Sequence, residues 1–189
     1  MPAPFSSPFA SIGRALVARV SSSLGVPSAY VRPVANDRYK VTQAEPVFAY
    51  VQFFTPGKPR DPGLEYTDSG AGRLATPVGR RVRVYVYTRS GEDVYGGDEV
   101  ALFGGDQAGD GNPAVTPGHF LVEEMVYNGL VNYMPPGPNG TPLCITPIHP
   151  LDASEQPERK PEDDAGLIRS CLDFEAVYLL SIDQADPPA

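Results

Sequence analysis

Residues 80–111 read RRVRVYVYTRSGEDVYGGDEVALFGGDQAGDG. The first nine residues alternate. Val82, Val84 and Val86 fall on one parity, and Arg81, Arg83, Tyr85 and Tyr87 on the other. Successive strand side chains point to opposite faces, so this pattern predicts a strand with a core face and an amphipathic face. Arg and Tyr are also the residues that protein interfaces enrich. Beyond Thr88 the segment turns into acids and paired glycines, with Asp98, Asp106 and Asp110 among them.

That acidic end fails two chemical tests. A calcium loop starting at Asp106 needs oxygen ligands at its third and twelfth positions, where Ala108 and Pro117 stand. A phosphate loop needs Lys and Ser or Thr after its glycines. Here the neighbours are Asp98, Glu99, Asp106 and Asp110, which repel phosphate. What remains is a pliable acidic extension beside the basic cluster Arg80, Arg81, Arg83 and Arg89. Opposite charges at the two ends of one hairpin suit pairing between subunits as well as salt bridges within one chain.

The flanking elements follow from periodicity. In SPFASIGRALVARVSSSLG, Phe9, Ile12, Leu16, Val20 and Leu24 lie on one helical face, with Ser7 as cap, Pro8 in the first turn and Gly25 as stop. PVFAYVQFF, residues 46–54, is apolar on both parities and predicts a strand contacted on both faces. Residues 55–79 show no period and predict a long loop or flap. TPGHFLVEEMVYNGLVNYM, residues 116–134, predicts a second helix capped by Thr116, with Pro117 at its first position and a stripe of Val122, Met125, Val126, Leu130 and Tyr133. LCITPI predicts a short strand and residues 150–169 a second projecting loop. CLDFEAVYLLSI is the clearest strand, with Leu172, Phe174, Ala176, Tyr178, Leu180 and Ile182 on one side. The order helix, strands, helix, strands points to a single α+β domain: a mostly antiparallel mixed β-sheet, two main helices packed on it and long loops. The folded body is placed at 7–183 of residues 1–189, with a flexible tail at 184–189.

Composition agrees with short elements and long connections. The 189 residues include 22 Pro and 19 Gly, and neither residue type is favoured inside regular elements. The formal net charge of −8 argues against a free-standing nucleic-acid binder, which needs a basic surface. No apolar run approaches the roughly 20 residues of a membrane span, and the first residues lack a secretory leader. The chain is read as made and kept in a cytoplasm, so Cys144 and Cys171 are expected to be reduced, buried thiols.

Candidate catalytic sets are thin. His119 and Glu123 share a helix face at i, i+4, but a metal site needs three or four ligands, and His149 lies in a separate proline-bounded stretch. His119 is therefore read as a surface histidine near a helix start. There is no G-x-S-x-G elbow, and neither cysteine has a basic setting that would activate it. The pairs Glu123-Glu124 and Asp163-Asp164 read as solvated surface. No catalytic, cofactor or metal residues are assigned.

The capped first helix, the strand VFAYVQFF, the Arg-rich strand RRVRVYVYT, the helix HFLVEEMVYNGLVNYM and the final strand LDFEAVYLLSI together resemble the tail-terminator or tail-completion proteins of tailed bacteriophages. The likeness is one of layout across residues 7–183. It implies a non-enzymatic virion protein, assembled in the host cytoplasm, that forms a hexameric ring. Such a ring caps the tail tube, joins it to the head–tail connector or stopper, and can meet a sheath protein. DNA slides through its channel without specific binding, which suits an acidic chain. Residues expected at subunit or partner contacts are Arg81, Arg83, Tyr85, Tyr87, Asp98, Asp106 and Asp110. The alternatives are another neck component (a stopper or adaptor), a cellular binding module that uses its loops, and a metal-dependent enzyme built on the 106–110 acids and His119.

Overall fold

A computed structural model describes residues 8–36, 45–60, 67–68, 74–89, 102–106, 115–137, 140–151, 155–159 and 167–182. Helix α1 spans Pro8–Leu24. Its face of Phe9, Ile12, Leu16, Val20 and Leu24 is buried, as the spacing predicts. Gly25 ends it at φ 65°, and the amides of Gly25 and Val26 bond the carbonyls of Ser22 and Ser21. This is the reciprocal pair of bonds that satisfies the last carbonyls of a helix.

The strands are β1 (Val31–Val34), β2 (Val47–Phe53), β3 (Thr67–Asp68), β4 (Leu74–Arg89), β5 (Gly104–Asp106), β6 (Val115–Pro117), β7 (His149–Pro150), β8 (Glu155–Arg159) and β9 (Leu167–Ile182). The main sheet runs β1-β2-β4-β9-β7, with β3 on β4 and β8 on β9. Only β1–β2 is parallel among its pairings, so the sheet is mixed and mostly antiparallel. Helix α2, His119–Leu130, lies beside α1 on the same side. Val82, Val84 and Val86 face these helices with Ala49, Val51, Leu172, Phe174 and Ala176, and form the main core.

Several boundaries differ from the sequence reading. β4 begins at Leu74, so residues 74–79 of the expected 55–79 loop are strand. Pro77 is tolerated there because its backbone points the same way as Gly79, which bonds Gly57 rather than β9. The expected 150–169 loop contains β8 and the start of β9. LCITPI is not a strand. It is a run of bends that buries Cys144 and Ile148, and the short strand there is β7. β1 carries no clear sequence signal, since it is four residues long and contains Pro33. Residues 184–189 lie outside the described part.

The second helix starts later than expected. Thr116 and Pro117 belong to β6, paired with β5, and Gly118 is the N-cap without a side-chain cap bond. A Cβ on Gly118 would collide with the backbone of Leu102, Phe103 and Gly104, so this close approach needs glycine. The helix stops at Leu130, four residues early. Asn132 takes φ 60°, and its amide and the Tyr133 carbonyl pair with Ile148. No helix among the described residues is long and apolar enough to cross a membrane.

Ile12 is wholly buried between α1 and the sheet. Ile12→Ala is expected to lower the unfolding free energy by about 2–5 kcal/mol, against no more than about 0.5 kcal/mol for a change at exposed Ala18. Urea denaturation of both variants checks the contrast.

Candidate functional site

The Arg/Tyr parity of β4 faces away from the helices, and the register sorts it into two halves. Phe48 lies opposite Tyr87, and Tyr50 opposite Tyr85, which in turn is opposite Cys171. Gln52 lies opposite Arg83, Arg83 opposite Asp173, and Arg81 opposite Glu175. One half of this face is therefore aromatic and the other ionic.

In the aromatic half the Phe48 and Tyr87 rings stack at 4.8 Å and 6°, and Tyr50 meets both edge-on. The Tyr85 hydroxyl donates to Gln52 Oε1 at 2.8 Å. Tyr85 and Tyr87 are buried together with Leu167 and Cys171 in a second cluster. The expected partner-facing surface is thus internal at both tyrosines. Their strand neighbours are aromatic or apolar too, so this half of the face is buried. Arg83 is largely covered and Arg81 keeps 38% of its side chain in solvent. Asp106 ends β5 opposite Val115. Asp98 and Asp110 lie outside the described residues, as does most of the acidic extension. The β5–β6 pair makes the flank of that extension a hairpin rather than the helix-flanked loop of a calcium site.

The ionic half centres on Asp173, whose side chain has no exposed surface. Arg83 grips it with Nε to Oδ1 at 2.9 Å and Nη2 to Oδ2 at 3.0 Å, and Arg81 Nη2 also donates to Oδ2. Burial pushes the Asp173 carboxyl up, but the bonds from Arg83 and Arg81 outweigh it and hold it below its usual value. The bond to Asp173 raises Arg83 in turn. Next to it, Glu175 accepts from the Arg60 amide at 3.3 Å and meets His149 Nε2 at 2.9 Å. The sequence reading misses both acids. The signal lay in their parity: they alternate with Leu172 and Phe174, as the two arginines alternate with valines.

His119 is not on the surface. Its side chain is fully buried beneath the start of α2, with Nδ1 2.8 Å from Thr88 Oγ1. Burial lowers its pKa to about 4, so it is neutral at pH 7. Burial also raises Glu123, four residues on. Among the described residues no three His, Cys, Asp or Glu come close enough to hold a metal ion. Cys144 and Cys171 are free and buried, and burial pushes the Cys144 thiol up to about 12, far from a nucleophilic state.

A concavity lies elsewhere, between α1, β1 and β2. It measures about 490 Å³ and is apolar, lined by Phe9, Ala10, Gly13, Val17 and Phe53, with Arg14 on its wall. None of the contact residues expected from the sequence line it.

The sequence matches no protein-family model and no curated protein. The fold is similar to that of the sheath/tube terminator of PVC, an extracellular contractile injection system, in its extended state. The TM-score is 0.45 with 14% identical residues, over 95% of this chain and 60% of that one. The chain thus spans about three-fifths of that protein's length.

Removing the Asp173 charge leaves two arginines without their shared partner. Asp173→Asn is expected to destabilise by about 2–3 kcal/mol at pH 7, below the usual 3–5 for a broken buried pair because Arg81 can rehydrate. Chemical denaturation measures it. His119 gives a pH signature. Unfolded it titrates near 6.5 and folded near 4, so between those values the unfolded chain binds more protons and stability falls as pH drops. The loss attributable to His119 is about 2 kcal/mol at pH 5 relative to pH 7. Urea midpoints of wild type and His119→Asn at both pH values test this, and the variant should lose that part of the slope.

Proposed function

We propose that the chain is a non-enzymatic structural subunit of a tailed-phage particle, a terminator that closes as a ring on the tail tube and joins it to the head connector. The elements that carry the resemblance form in the expected order: α1, β2, β4, α2, β9. The observation that carries the reading is the apolar surface left outside. Phe103, Leu121, Leu179 and Leu180 are exposed, the last two at the far end of the long β4–β9 pair. Large side chains displayed this way suit a subunit that completes its burial only in an assembly. The chemically active groups, by contrast, serve the fold: Asp173 is clamped, His119 is kept neutral, and Cys144 is held as a thiol.

On this reading the partners are further copies of the chain, six by the resemblance, with the tail tube protein, the connector or stopper, and a sheath protein where the tail contracts. The net charge of −8 lets DNA pass a channel without adhering. A stopper or adaptor role in the same neck draws on the same features. The α1 groove favours a second reading, a cellular binding module. Its volume lies in the range of small-ligand pockets, roughly 300–1,000 Å³.

Purified chain mixed with isolated tail tubes and imaged by electron microscopy separates these. A terminator is expected to appear as one ring at a single tube end. Absence from tube ends at micromolar concentration, or decoration along the tube wall, rules the terminator out.

A further inference from the structure

The two outer flanks of the helical layer differ in kind. Along α1, residues at 100° steps place Ala10, Gly13 and Val17 roughly opposite Arg19 and Ser23. The latter two meet α2: Arg19 Nε donates to Gly129 O at 2.8 Å, and Ser23 packs on Gly129. The groove therefore opens on the side of α1 turned away from α2. On α2, Leu121, Glu124 and Tyr127 are exposed, and Tyr127 leans on Phe174 of β9, a strand remote from β1 and β2. Phe103 lies against Phe120 at the start of α2. Phe103 and Leu121 are 70% and 52% exposed.

Charge divides the same way. Arg14, exposed on the groove wall, has no ion pair among the described residues, and exposed Arg32 stands next to the lining residue Pro33. On the α2 flank Glu124 is exposed one turn from Leu121, and helix α2 contains no Lys or Arg.

We infer that the α1 groove receives the α2 flank of a second copy, with Phe103 and Leu121 entering the apolar cleft and Glu124 meeting Arg14. This rests on the assembly reading above. Groove against groove sets base against base, and flank against flank sets acid against acid. Only groove against flank is complementary. The contact is consequently head-to-tail, and a head-to-tail contact between copies builds rings or filaments rather than closed twofold dimers. The small residues Ala10 and Gly13 leave the cleft open for large side chains.

The test uses the full chain, with native mass spectrometry and analytical ultracentrifugation, alone and on tube ends. Ala10→Glu blocks the groove and Leu121→Asp blocks the flank. Both positions are exposed, and melting curves confirm that each variant folds. Each variant alone should be monomeric and form no ring at tube ends. Mixed in equal amounts they should give a 1:1 heterodimer and nothing larger, because one competent groove and one competent flank remain. Arg14→Glu should weaken association at least tenfold, and adding Glu124→Arg should restore it. If wild type assembles and either blocked variant still does, or if the mixture gives no heterodimer, the inference is overturned while the assembly reading stands. If wild type assembles neither alone nor on tube ends, the assembly reading falls and this contact with it.

Discussion

The antiparallel pairing of β4 with β9 organises this molecule. It runs sixteen residues, from Leu74 opposite Ile182 to Arg89 opposite Leu167, and every other strand of the main sheet except β1 pairs with one of the two. A slip of one residue moves Val82, Val84 and Val86 out of the helix-facing core. A slip of two keeps every side chain on its face, so hydrophobic patterning cannot forbid it. The ionic half bears on it instead. Shifted one way, Asp173 lies opposite Tyr85 and Arg83 opposite Glu175. Shifted the other way, Asp173 lies opposite Arg81 and Arg83 opposite Cys171. Both displacements take Arg83 from its place opposite Asp173 and so disturb its two-pronged grip on that carboxylate. The Arg81–Asp173–Arg83 contact is weak as net stabilisation, yet it favours the observed register over its two-residue neighbours.

That division explains what was legible in the sequence. Periodicity reports one element at a time. It located α1, the middle of β4 and most of β9, because their apolar faces repeat at 3.6 or 2 residues, while β2 showed as an unbroken apolar run between prolines. It could not report what lies across a strand pair. Tyr85 and Tyr87 read as an open amphipathic face only while Phe48, Tyr50 and Cys171 are not yet placed opposite them. Asp173 and Glu175 carry no signal of their own until Arg83 and Arg81 are placed opposite them.

His119 shows a different failure. Thr116 and Pro117 carry the chemistry of a helix cap and first turn, and His119 beside them reads as part of an exposed helix start. Its spacing says otherwise: it stands three and seven residues before Val122 and Val126, on the face of the apolar stripe. Pairing with β5 takes Thr116 and Pro117 into a strand, the helix begins at His119, and its buried face holds His119, Val122, Val126 and Leu130. Local propensity lost to a tertiary contact, and Gly118 is where the contest was settled, since only a hydrogen fits against the Leu102–Gly104 backbone. The α1 groove had no sequence signal, because it is a space between elements rather than a property of one.

The way the edges are closed also bears on how the chain can meet others. β1, at one margin of the sheet, carries Pro33 and exposed Arg32, features that blunt strand addition. At the other margin β9 is covered in part by β7 and β8, and the β8 pairing contains a bulge. The sheet's second face is filled at its aromatic half. Backbone pairing between copies is thus discouraged at both margins. Among the described residues the surface left open is side-chain surface: the α1 groove, the α2 flank and the leucines at the end of β9. Contacts made through side chains are specified by shape and charge rather than by backbone register, and on these surfaces the groove wall carries Arg14 and the α2 flank carries Glu124.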